Sequence, residues 1–396
     1  MTPEQFLDRY GLDRVVNAVG FATRLGNGRL RPEVLEAMGA AASTYVRMDQ
    51  FLERAGARIA ELTNAEAGYV VNGAAGGLVL SAAACLAGLD PVRMNALPVI
   101  LEGGKSTIVI HRAHRYDYDH ALRQAGAELV EVGFPDLTFA YELDAAIDER
   151  TAAVMFRADG SGNVVALPEV IAIAHAKGVP VIVDAALSVP PVANLTAFTD
   201  LGADLVIFSG GKAIGGPPAA GFIAGRSSLI ASIALQHQDM DVRTDTWGQR
   251  HLVDGGVIAG PPYQGIGRAM KVGKEQVAGL LAALDSYVTR DHEADLQMWL
   301  DRVNRIHDAL AQSSPALRTT VDPGGSASDY VPTLRVELGS RARAAEVMRA
   351  LQDDRPAVFL GEQELWRGAL VMAPTNLEDA EEALLVAALA RAVAGA

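Results

Sequence analysis

Residues 208–225, FSGGKAIGGPPAAGFIAG, place a single lysine, Lys212, among six glycines directly after an apolar segment. The preceding sequence ADLVIFSG is rich in branched apolar residues, which predicts a buried strand. The sequence GFIAG predicts the next strand, so Lys212 falls on the loop between the two. Glycines allow such a loop to adopt backbone conformations that residues with a Cβ resist. A surface turn with an incidental lysine is the alternative interpretation of this stretch alone.

Short apolar runs alternate with helix-like segments over residues 68–226. The predicted strands are GYVV, TIVIH, ELVEVG, AAVMF, VPVIVDA, ADLVIFSG and GFIAG. Segments such as DHALRQAG and LPEVIAIAHAKG repeat apolar residues at helical spacing and end in glycine. This alternation predicts an α/β fold, a mostly parallel sheet covered by helices on both faces. Ligands of such sheets bind where the strands end.

The length of 396 residues predicts more than one domain. We expect residues 46–264 to form the large domain and residues 265–396 to form a smaller α+β domain. Residues 1–45 are predicted to be a segment that packs with the small domain. The stretch 231–256 has the least regular pattern and is predicted to be a loop insertion.

Composition argues against several classes of partner. The net charge of −14 disfavours nonspecific binding of nucleic acid or an anionic membrane. Cys85 is the single cysteine, so no disulfide forms within the chain, and a buried structural thiol is favoured over a nucleophile. The N-terminus lacks a secretory pattern, and no apolar run reaches the roughly 18 residues of a membrane span. We therefore expect a soluble cytoplasmic protein with neither nucleic acid nor membrane as a partner, and the eight histidines show no metal-ligand spacing.

Two further segments and Ser209 place polar groups near the predicted sheet edge. The strand in VPVIVDAA ends at Asp184, and a carboxylate there needs a cation or a polar ligand as its partner. Ser209 precedes Lys212 by three residues and offers a hydroxyl to an anion. The segment VNGAAGGL passes from strand to helix through small residues, so free backbone N–H groups are expected at Gly73, Ala74, Ala75 and Gly76.

Together these groups supply an amine that reacts with an aldehyde, a carboxylate for a ring nitrogen and a cradle for a phosphate. Pyridoxal 5'-phosphate requires all three. Each signal alone is weak, because a strand-end aspartate is often structural and a turn of small residues often reflects tight packing. Their order is more specific: Asp184 follows Gly73 by about 110 residues, and Lys212 follows Asp184 by 28.

In this order and in local sequence, the chain resembles fold type I pyridoxal phosphate enzymes. The branch it resembles contains D-glucosaminate-6-phosphate ammonia-lyase and bacterial selenocysteine synthase, which is L-seryl-tRNA selenium transferase. The likeness covers roughly residues 15–275, and its most specific part is FSGGKAIGGPPAAG. Other segments that carry it are VVNAVGFATRLGNGRLRPEVLEAM, MDQFLERAGARIAELTNAEAGYVVNGAAGGL, HRAHRYDYDHALRQAGAELVEVG, VPVIVDAA and GIGRAMKVGKE.

The resemblance implies roles for individual residues. It implies that Lys212 bonds covalently to the cofactor aldehyde and that Asp184 pairs with the pyridine nitrogen. His114, in HRAHRYDYDHAL, falls where these folds often place a residue that stacks on the ring. A structural histidine at a strand end is the alternative for His114, and His111 and His120 are weaker candidates for the same role.

Cationic residues occur in two segments that we expect to line a cleft between the domains. An amino acid substrate carries a carboxylate, and any phosphate on it also needs cations. Arg24 and Arg29 lie in ATRLGNGRL, and Arg268 and Lys271 lie in GIGRAMKVGK. The resemblance to the selenium transferases favours Arg29, Arg268 and Lys271 as anion ligands. A solvated surface charge is the alternative for each residue alone.

The predicted activity is an α,β-elimination on an anionic β-hydroxy amino acid, such as D-glucosaminate 6-phosphate, that yields a 2-keto-3-deoxy acid and ammonia. A racemase, an aldolase or a β-replacement enzyme would begin with the same steps. Selenium or sulfur transfer is the second enzymatic hypothesis. The acidic charge and an N-terminus without room for a separate tRNA-binding domain count against its tRNA form. A non-catalytic protein of this fold is the third hypothesis. The resemblance also implies a homo-oligomer.

Overall fold

The computed structural model describes residues 1–160, 162–326 and 329–395. Its strands are β1 (Val15–Ala18), β2 (Ala67–Val71), β3 (Thr107–His111), β4 (Glu128–Val132), β5 (Thr151–Arg157), β6 (Val181–Asp184), β7 (Leu205–Ser209), β8 (Gly221–Gly225), β9 (Arg318–Asp322), β10 (Thr333–Glu337), β11 (Ala357–Leu360) and β12 (Ala369–Met372).

Fifteen α-helices occur among these described residues. They are α1 (Pro3–Tyr10), α2 (Pro32–Ala42), α3 (Met48–Thr63), α4 (Gly73–Ala87), α5 (Pro91–Ala96), α6 (His120–Gln124), α7 (Ala140–Ala146), α8 (Leu167–Ala176), α9 (Asn194–Asp200), α10 (Ser227–His237), α11 (His251–Asp254), α12 (Lys274–Thr289), α13 (His292–Ser313), α14 (Arg341–Asp353) and α15 (Asp379–Gly395). No helix in this part of the chain is both long and apolar enough to cross a bilayer.

The larger of two compact units spans Leu30–Val288 and is built on a seven-stranded sheet. Its strand order is β2-β8-β7-β6-β5-β3-β4. Strands β3 to β7 run parallel, whereas β8 is antiparallel to both β7 and β2. Each of the seven strands predicted from the sequence is present, and the predicted α/β fold with a mostly parallel sheet is confirmed.

Side chains of this sheet alternate between two apolar cores because successive residues of a strand point to opposite faces. Val181 and Val183 of β6 belong to one core, which also contains residues of α8 and α12. Ile182 belongs to the other core, together with residues of α4 and α10. Both faces of the sheet are therefore covered by helices, which explains why its central strands are apolar at every position.

The smaller unit contains Met1–Arg29 and Thr289–Ala396. In its described residues, β12, β10 and β9 form an antiparallel sheet, and β1 pairs in parallel with β11. Apolar residues of α13, α14 and α15 pack with these strands in one core. The units divide after residues 29 and 288, whereas the sequence analysis placed the divisions after residues 45 and 264.

The stretch 231–256 differs from the predicted loop insertion. Its first residues, 231–237, complete α10, whose apolar residues Ile230 and Ile233 pack into the large unit. Only the following residues are irregular, apart from a 3₁₀ turn at Thr244–Thr246 and the short α11. The pattern was misread because α10 is apolar over much of its circumference and therefore lacks a clear polar stripe.

Contact between α3 and β2 gives a test of the packing. A Cβ added at Gly56 would lie 2.2 Å from the carbonyl oxygen of Gly68, which is backbone and cannot move aside cheaply. We expect Gly56→Ala to lower the free energy of unfolding by about 1–3 kcal/mol, measured by urea denaturation. Gly39→Ala is the matched control because a Cβ there meets nothing within 4 Å; on the exposed face of α2 it should raise stability by roughly 0.5–1 kcal/mol. Equal effects of the two substitutions would contradict the close approach.

Candidate active site

The predicted site segments of the large unit converge at one edge of its sheet. The end of β2 at Val71 pairs with the start of β8 at Gly221, which in turn pairs with the end of β7 at Ser209. Asp184, the last residue of β6, pairs with Ile207 of β7. The strand register therefore brings the candidate cofactor residues to a common edge, as expected for a parallel sheet.

Lys212 lies on a loop without helix or strand, as predicted, and is half-buried. Backbone hydrogen bonds close this loop: Gly216 N–H donates to the Gly210 carbonyl at 2.8 Å, and Gly215 N–H donates to the Lys212 carbonyl at 2.9 Å. A Cβ at Gly210 would lie 2.4 Å from Leu280 Cδ1 and 3.0 Å from the Ala220 carbonyl oxygen, so a larger residue would require these neighbours to shift. The glycines thus allow a compact turn that presents the lysine at the sheet edge.

Burial gives the lysine the character of a nucleophile. Removal from water lowers the pKa of Lys212, because the charged ammonium is disfavoured, and the nearby carboxylates of Asp184 and Asp159 oppose this shift only in part. A lowered pKa increases the fraction of neutral amine near pH 7. The neutral amine is the form that attacks a carbonyl or accepts a proton.

Asp184 is a buried carboxyl group whose side chain is held by two hydrogen bonds. The residue is 5% exposed; Ala186 N–H donates to Oδ1 at 3.0 Å, and the Tyr116 hydroxyl donates to Oδ2. Burial raises the pKa of Asp184, while the hydrogen bonds from Tyr116 and Ala186 and the charge of Lys212 oppose that rise. A cationic ring nitrogen placed here would compensate for the buried negative charge.

Helix α4 begins at the same edge and leaves its first N–H groups without helical acceptors. Gly73 has a φ of +83°, which favours glycine, and a Cβ at Gly221 would lie 2.8 Å from the Gly73 carbonyl carbon and 3.0 Å from the Ala74 nitrogen. Asn72, at the N-cap, makes no side-chain capping bond, and its Oδ1 is buried without a partner among the described residues. Ala75 is exposed and Gly76 is buried, so the N-terminal turn is accessible from one side. Its uncapped N–H groups suit a phosphate.

His114 lies in a 3₁₀ turn, Arg112–His114, directly after β3. Its ring is 1% exposed and packs edge-on against Phe156, with a centroid distance of 4.7 Å, and a Cβ at Gly160 would lie 2.4 Å from its Cδ2. In this arrangement the ring has no open face, so stacking on the cofactor stays a prediction that requires movement of the ring or of Gly160. His111 is also buried and lies beside His114, whereas His120 is exposed.

The sequence profile of the SelA family, L-seryl-tRNA selenium transferase, matches residues 15–247. D-glucosaminate-6-phosphate ammonia lyase of Salmonella typhimurium is 31% identical to this chain, with 98% of each protein covered. The chain belongs to the L-seryl-tRNA selenium transferase family. The resemblance inferred from the sequence motifs is confirmed.

Three further similarities extend this result. A 5'-C-glycyluridine monooxygenase-decarboxylase of a Streptomyces species is 33% identical over 95% of this chain and 89% of its own length. A solved structure of D-glucosaminate-6-phosphate ammonia-lyase matches with a TM-score of 0.78 and 29% identity over the full length of both chains. The fold is also shared, at 15% identity and a TM-score of 0.57, with a serine palmitoyltransferase structure that holds pyridoxal phosphate, which covers 97% of this chain and 88% of that one.

The residues at this edge fit pyridoxal phosphate, the cofactor that the serine palmitoyltransferase structure holds. A Cβ on Gly221 would fill the space between Gly221 and Gly73, where the phosphate is expected. The buried carboxyl group of Asp184 lacks a cationic hydrogen-bond donor among the described residues. Lys212 supplies the amine for the aldehyde. Ser209, the half-buried last residue of β7, lies opposite Gly221 and stays a predicted phosphate ligand.

The cations predicted to bind substrate differ in their surroundings. Arg24 and Arg29 belong to the small unit, where each is paired with carboxylates. Arg24 lies 2.9 Å from Glu362, and Arg29 lies 2.7 Å from the buried Glu381 and 2.9 Å from Glu378. Sequence reasoning did not foresee these partners because they lie more than 330 residues away along the chain. An anion would have to share or replace them.

Arg268 and Lys271 belong to the large unit. Arg268 is 3.7 Å from Asp239, whereas the exposed Lys271 has no ion pair among the described residues. His237 anchors this segment: its Nε2 donates to the Met270 carbonyl at 3.0 Å, and its Nδ1 accepts from the Tyr69 hydroxyl at 3.0 Å. The binding of substrate by Arg268 and Lys271 stays a prediction.

Three polar residues of the site were missed in the sequence. Tyr116 donates to Asp184, and Arg157 and Asp159 form an ion pair of 3.0 Å at the end of β5. Arg157 pairs in register with Asp184. The rule that identified Asp184, a polar residue where a buried strand ends, applies equally to Arg157. Tyr116 has no comparable signal because it follows a loop.

Burial of the two histidines predicts a specific pH dependence. Desolvation lowers the pKa of His111 and of His114 to about 4, so both rings are neutral in the folded protein at pH values where the unfolded chain binds protons. The two rings leave the free energy of unfolding at its full value above pH 6.5. As the pH falls toward 4, the unfolded chain binds protons that the folded protein does not, and the free energy of unfolding falls by up to about 3 kcal/mol for each ring. We expect His111→Leu to reduce the difference in free energy of unfolding between pH 7 and pH 5, measured by denaturation at both pH values. The exposed control His120→Gln should leave this difference unchanged. Identical pH dependence in His111→Leu and the unaltered protein would contradict this account.

The contact between β8 and α4 predicts a selective effect on the cofactor. Gly221→Ala should push the first turn of α4 away from its place and weaken pyridoxal phosphate binding by about tenfold or more, because the clash is with backbone atoms. The measurement is absorbance titration of cofactor-free protein. Gly260→Ala, where a Cβ meets nothing within 4 Å, is the control and should bind normally. Unchanged affinity in Gly221→Ala would show that this turn does not hold the phosphate.

Proposed function

We propose that this protein is a lyase that removes ammonia from an anionic β-hydroxy amino acid by α,β-elimination. The observation that carries the proposal is the half-buried amine of Lys212, with its lowered pKa, near the buried Asp184 at the edge where α4 begins. Full-length similarity to D-glucosaminate-6-phosphate ammonia lyase supports this reaction over others that such a site permits.

Bound pyridoxal phosphate supplies an aldehyde that bonds to amines and a ring that delocalises the electron pair left when Cα loses its proton. Asp184 would pair with the positively charged ring nitrogen, and the first N–H groups of α4 would hold the phosphate. The Lys212 amine accepts the proton from Cα. Lys212 then donates a proton to the β-hydroxyl, which leaves as water. Hydrolysis of the resulting unsaturated amine yields the 2-keto-3-deoxy acid and ammonia.

We propose a phosphorylated amino sugar acid, of the class of D-glucosaminate 6-phosphate, as the substrate. Arg268 and Lys271 are the preferred ligands for its anionic groups, because Lys271 has no carboxylate partner among the described residues and Arg268 has only a long one. Arg24 and Arg29 would contribute only after release from Glu362, Glu378 and Glu381. The proposal includes a homo-oligomer in the cytoplasm; a single buried thiol suits a reducing compartment.

The family profile and one relative each suggest an alternative function. The family profile favours transfer of selenium or sulfur, and the 33% identical monooxygenase-decarboxylase favours an oxygen-dependent reaction on an amino acid. Elimination needs no oxygen and releases ammonia, whereas an oxygenase consumes oxygen and a decarboxylase releases carbon dioxide. Reactions run with and without oxygen therefore separate these classes, and saturable tRNA binding at physiological salt would favour the transferase.

The decisive variant is Lys212→Ala. We expect borohydride to fix the cofactor onto Lys212 in the unaltered protein and not in the variant. Ammonia release from D-glucosaminate 6-phosphate should fall by about 10²–10⁴-fold or more, because the variant lacks the proton acceptor. Lys105→Ala is the control, since Lys105 precedes β3 at the opposite edge of the sheet. This variant should retain both the borohydride reaction at Lys212 and the release of ammonia. A protein that stays colourless after incubation with pyridoxal phosphate would refute the proposal.

A further inference from the structure

Tyr116 lies between Asp184 and an ion pair at the end of the neighbouring strand. Its hydroxyl donates to Asp184 Oδ2, and the guanidinium carbon of Arg157 lies 4.9 Å from the centroid of its ring. Arg157 in turn donates to both carboxylate oxygens of Asp159, at 3.0 Å from Nε and 3.3 Å from the terminal nitrogen. These contacts form a continuous chain from Asp159 through Arg157 and Tyr116 to Asp184.

We propose that Tyr116 is a positioning residue for Asp184 and that the Arg157–Asp159 ion pair holds Tyr116 in place. The hydroxyl of Tyr116 orients the carboxylate of Asp184 and favours its ionised form, which is the form that pairs with the ring nitrogen of pyridoxal phosphate. This inference rests on the proposed function, because that function assigns the ring nitrogen to Asp184.

A hydrogen bond is needed here because an ionised carboxylate is strongly disfavoured in a buried site unless donors compensate for lost water. Asp184 has two donors among the described residues, and the Ala186 amide occupies only Oδ1. Loss of the Tyr116 hydroxyl would leave Oδ2 without a donor. The side chain would then be held at one oxygen, and its ionised form would be less favoured.

Tyr116 keeps its proton and therefore remains a donor. Burial raises the pKa of Tyr116, and the negative charge of Asp184 raises it further, so the hydroxyl does not ionise at neutral pH. The Arg157 guanidinium acts in the opposite direction on this pKa but restrains the ring through a cation–π contact. The tyrosine is thus a neutral donor held at both ends.

The titratable and charged groups around Asp184 come from three segments. Tyr116 follows β3, Arg157 and Asp159 lie at the end of β5, and Lys212 lies on the loop after β7. The charge of Lys212 favours the ionised carboxylate of Asp184, and that of Asp159 disfavours it. Removing the Tyr116 hydroxyl raises the pKa of Asp184 further. Affinity for the cofactor should therefore begin to fall at a higher pH as the solution is acidified.

The test uses Tyr116→Phe in the full chain, freed of cofactor and then titrated with pyridoxal phosphate between pH 6 and pH 9. We expect about tenfold to hundredfold weaker binding at pH 7, the usual effect of removing a hydrogen bond to a charged group. We also expect the pH at which affinity is half lost to move upward relative to the unaltered protein. Asp159→Asn should weaken binding at pH 9 by less, because it only loosens Arg157. Its pH dependence is not diagnostic, because loss of the Asp159 charge by itself favours the ionised form of Asp184.

Tyr118→Phe is the matched control. Tyr118 is 62% exposed, lies two residues along the same segment and makes no hydrogen bond with Asp184, so its affinity and pH dependence should match the unaltered protein. Thermal unfolding of each cofactor-free variant checks folding. If Tyr116→Phe does not fold, the affinity of Asp159→Asn at pH 9 decides the question, because this change at a partly exposed residue keeps the shape of the side chain and leaves no cavity. Weaker binding supports the inference, and unchanged binding overturns it.

The outcomes separate this inference from the proposed function. An unaltered protein that binds no pyridoxal phosphate overturns both. Normal binding by the unaltered protein with unchanged affinity and pH dependence in Tyr116→Phe overturns the inference alone. Tighter binding by Tyr116→Phe also overturns it, since that result would mean that the hydroxyl competes with the ring nitrogen for Asp184.

Discussion

The carboxylate of Asp184 is the buried charge on which the site depends. It ends a strand that is apolar on both faces, and the residue is 5% exposed. Such a charge is tolerated only where donors and cations surround it. The Ala186 amide, the Tyr116 hydroxyl and the Lys212 amine provide this environment at one edge of the sheet. A cationic ring nitrogen adds the remaining compensation.

This requirement explains why the site is assembled from segments far apart in sequence. Parallel strands bring all their carboxyl ends to one edge, so a residue that ends β5, β6 or β7 meets residues that end its neighbours. Gly221 begins the antiparallel strand β8 at this same edge, and its missing side chain admits the start of α4. Gly221 therefore makes room for a ligand at this edge, and the carboxylate of Asp184 compensates for the positive charge of that ligand.

Family membership leaves the reaction to details of the site. Relatives of similar identity carry the names of an ammonia lyase, a monooxygenase-decarboxylase and a selenium transferase. All would share early chemistry on the amino acid, since the cofactor supplies it. The groups that surround Cα and the substrate's anions decide between the outcomes. We therefore expect substrate choice to depend on cations such as Lys271, which has no ion pair among the described residues, and Arg29, which is paired with Glu378 and Glu381.

The sequence by itself determined the seven strands of the large sheet, the loop that bears Lys212 and the family, because these depend on local apolar patterns and on motifs that are contiguous in the chain. It also placed Asp184 and the start of α4 by the rule that strand ends bear ligands. Only the tertiary structure decided that His114 is enclosed, that Arg24 and Arg29 are paired with Glu362 and Glu381, and that Tyr116 bonds to Asp184. These contacts join residues separated by tens to hundreds of positions. A side chain's partners over such distances are set by packing, for which no local pattern exists.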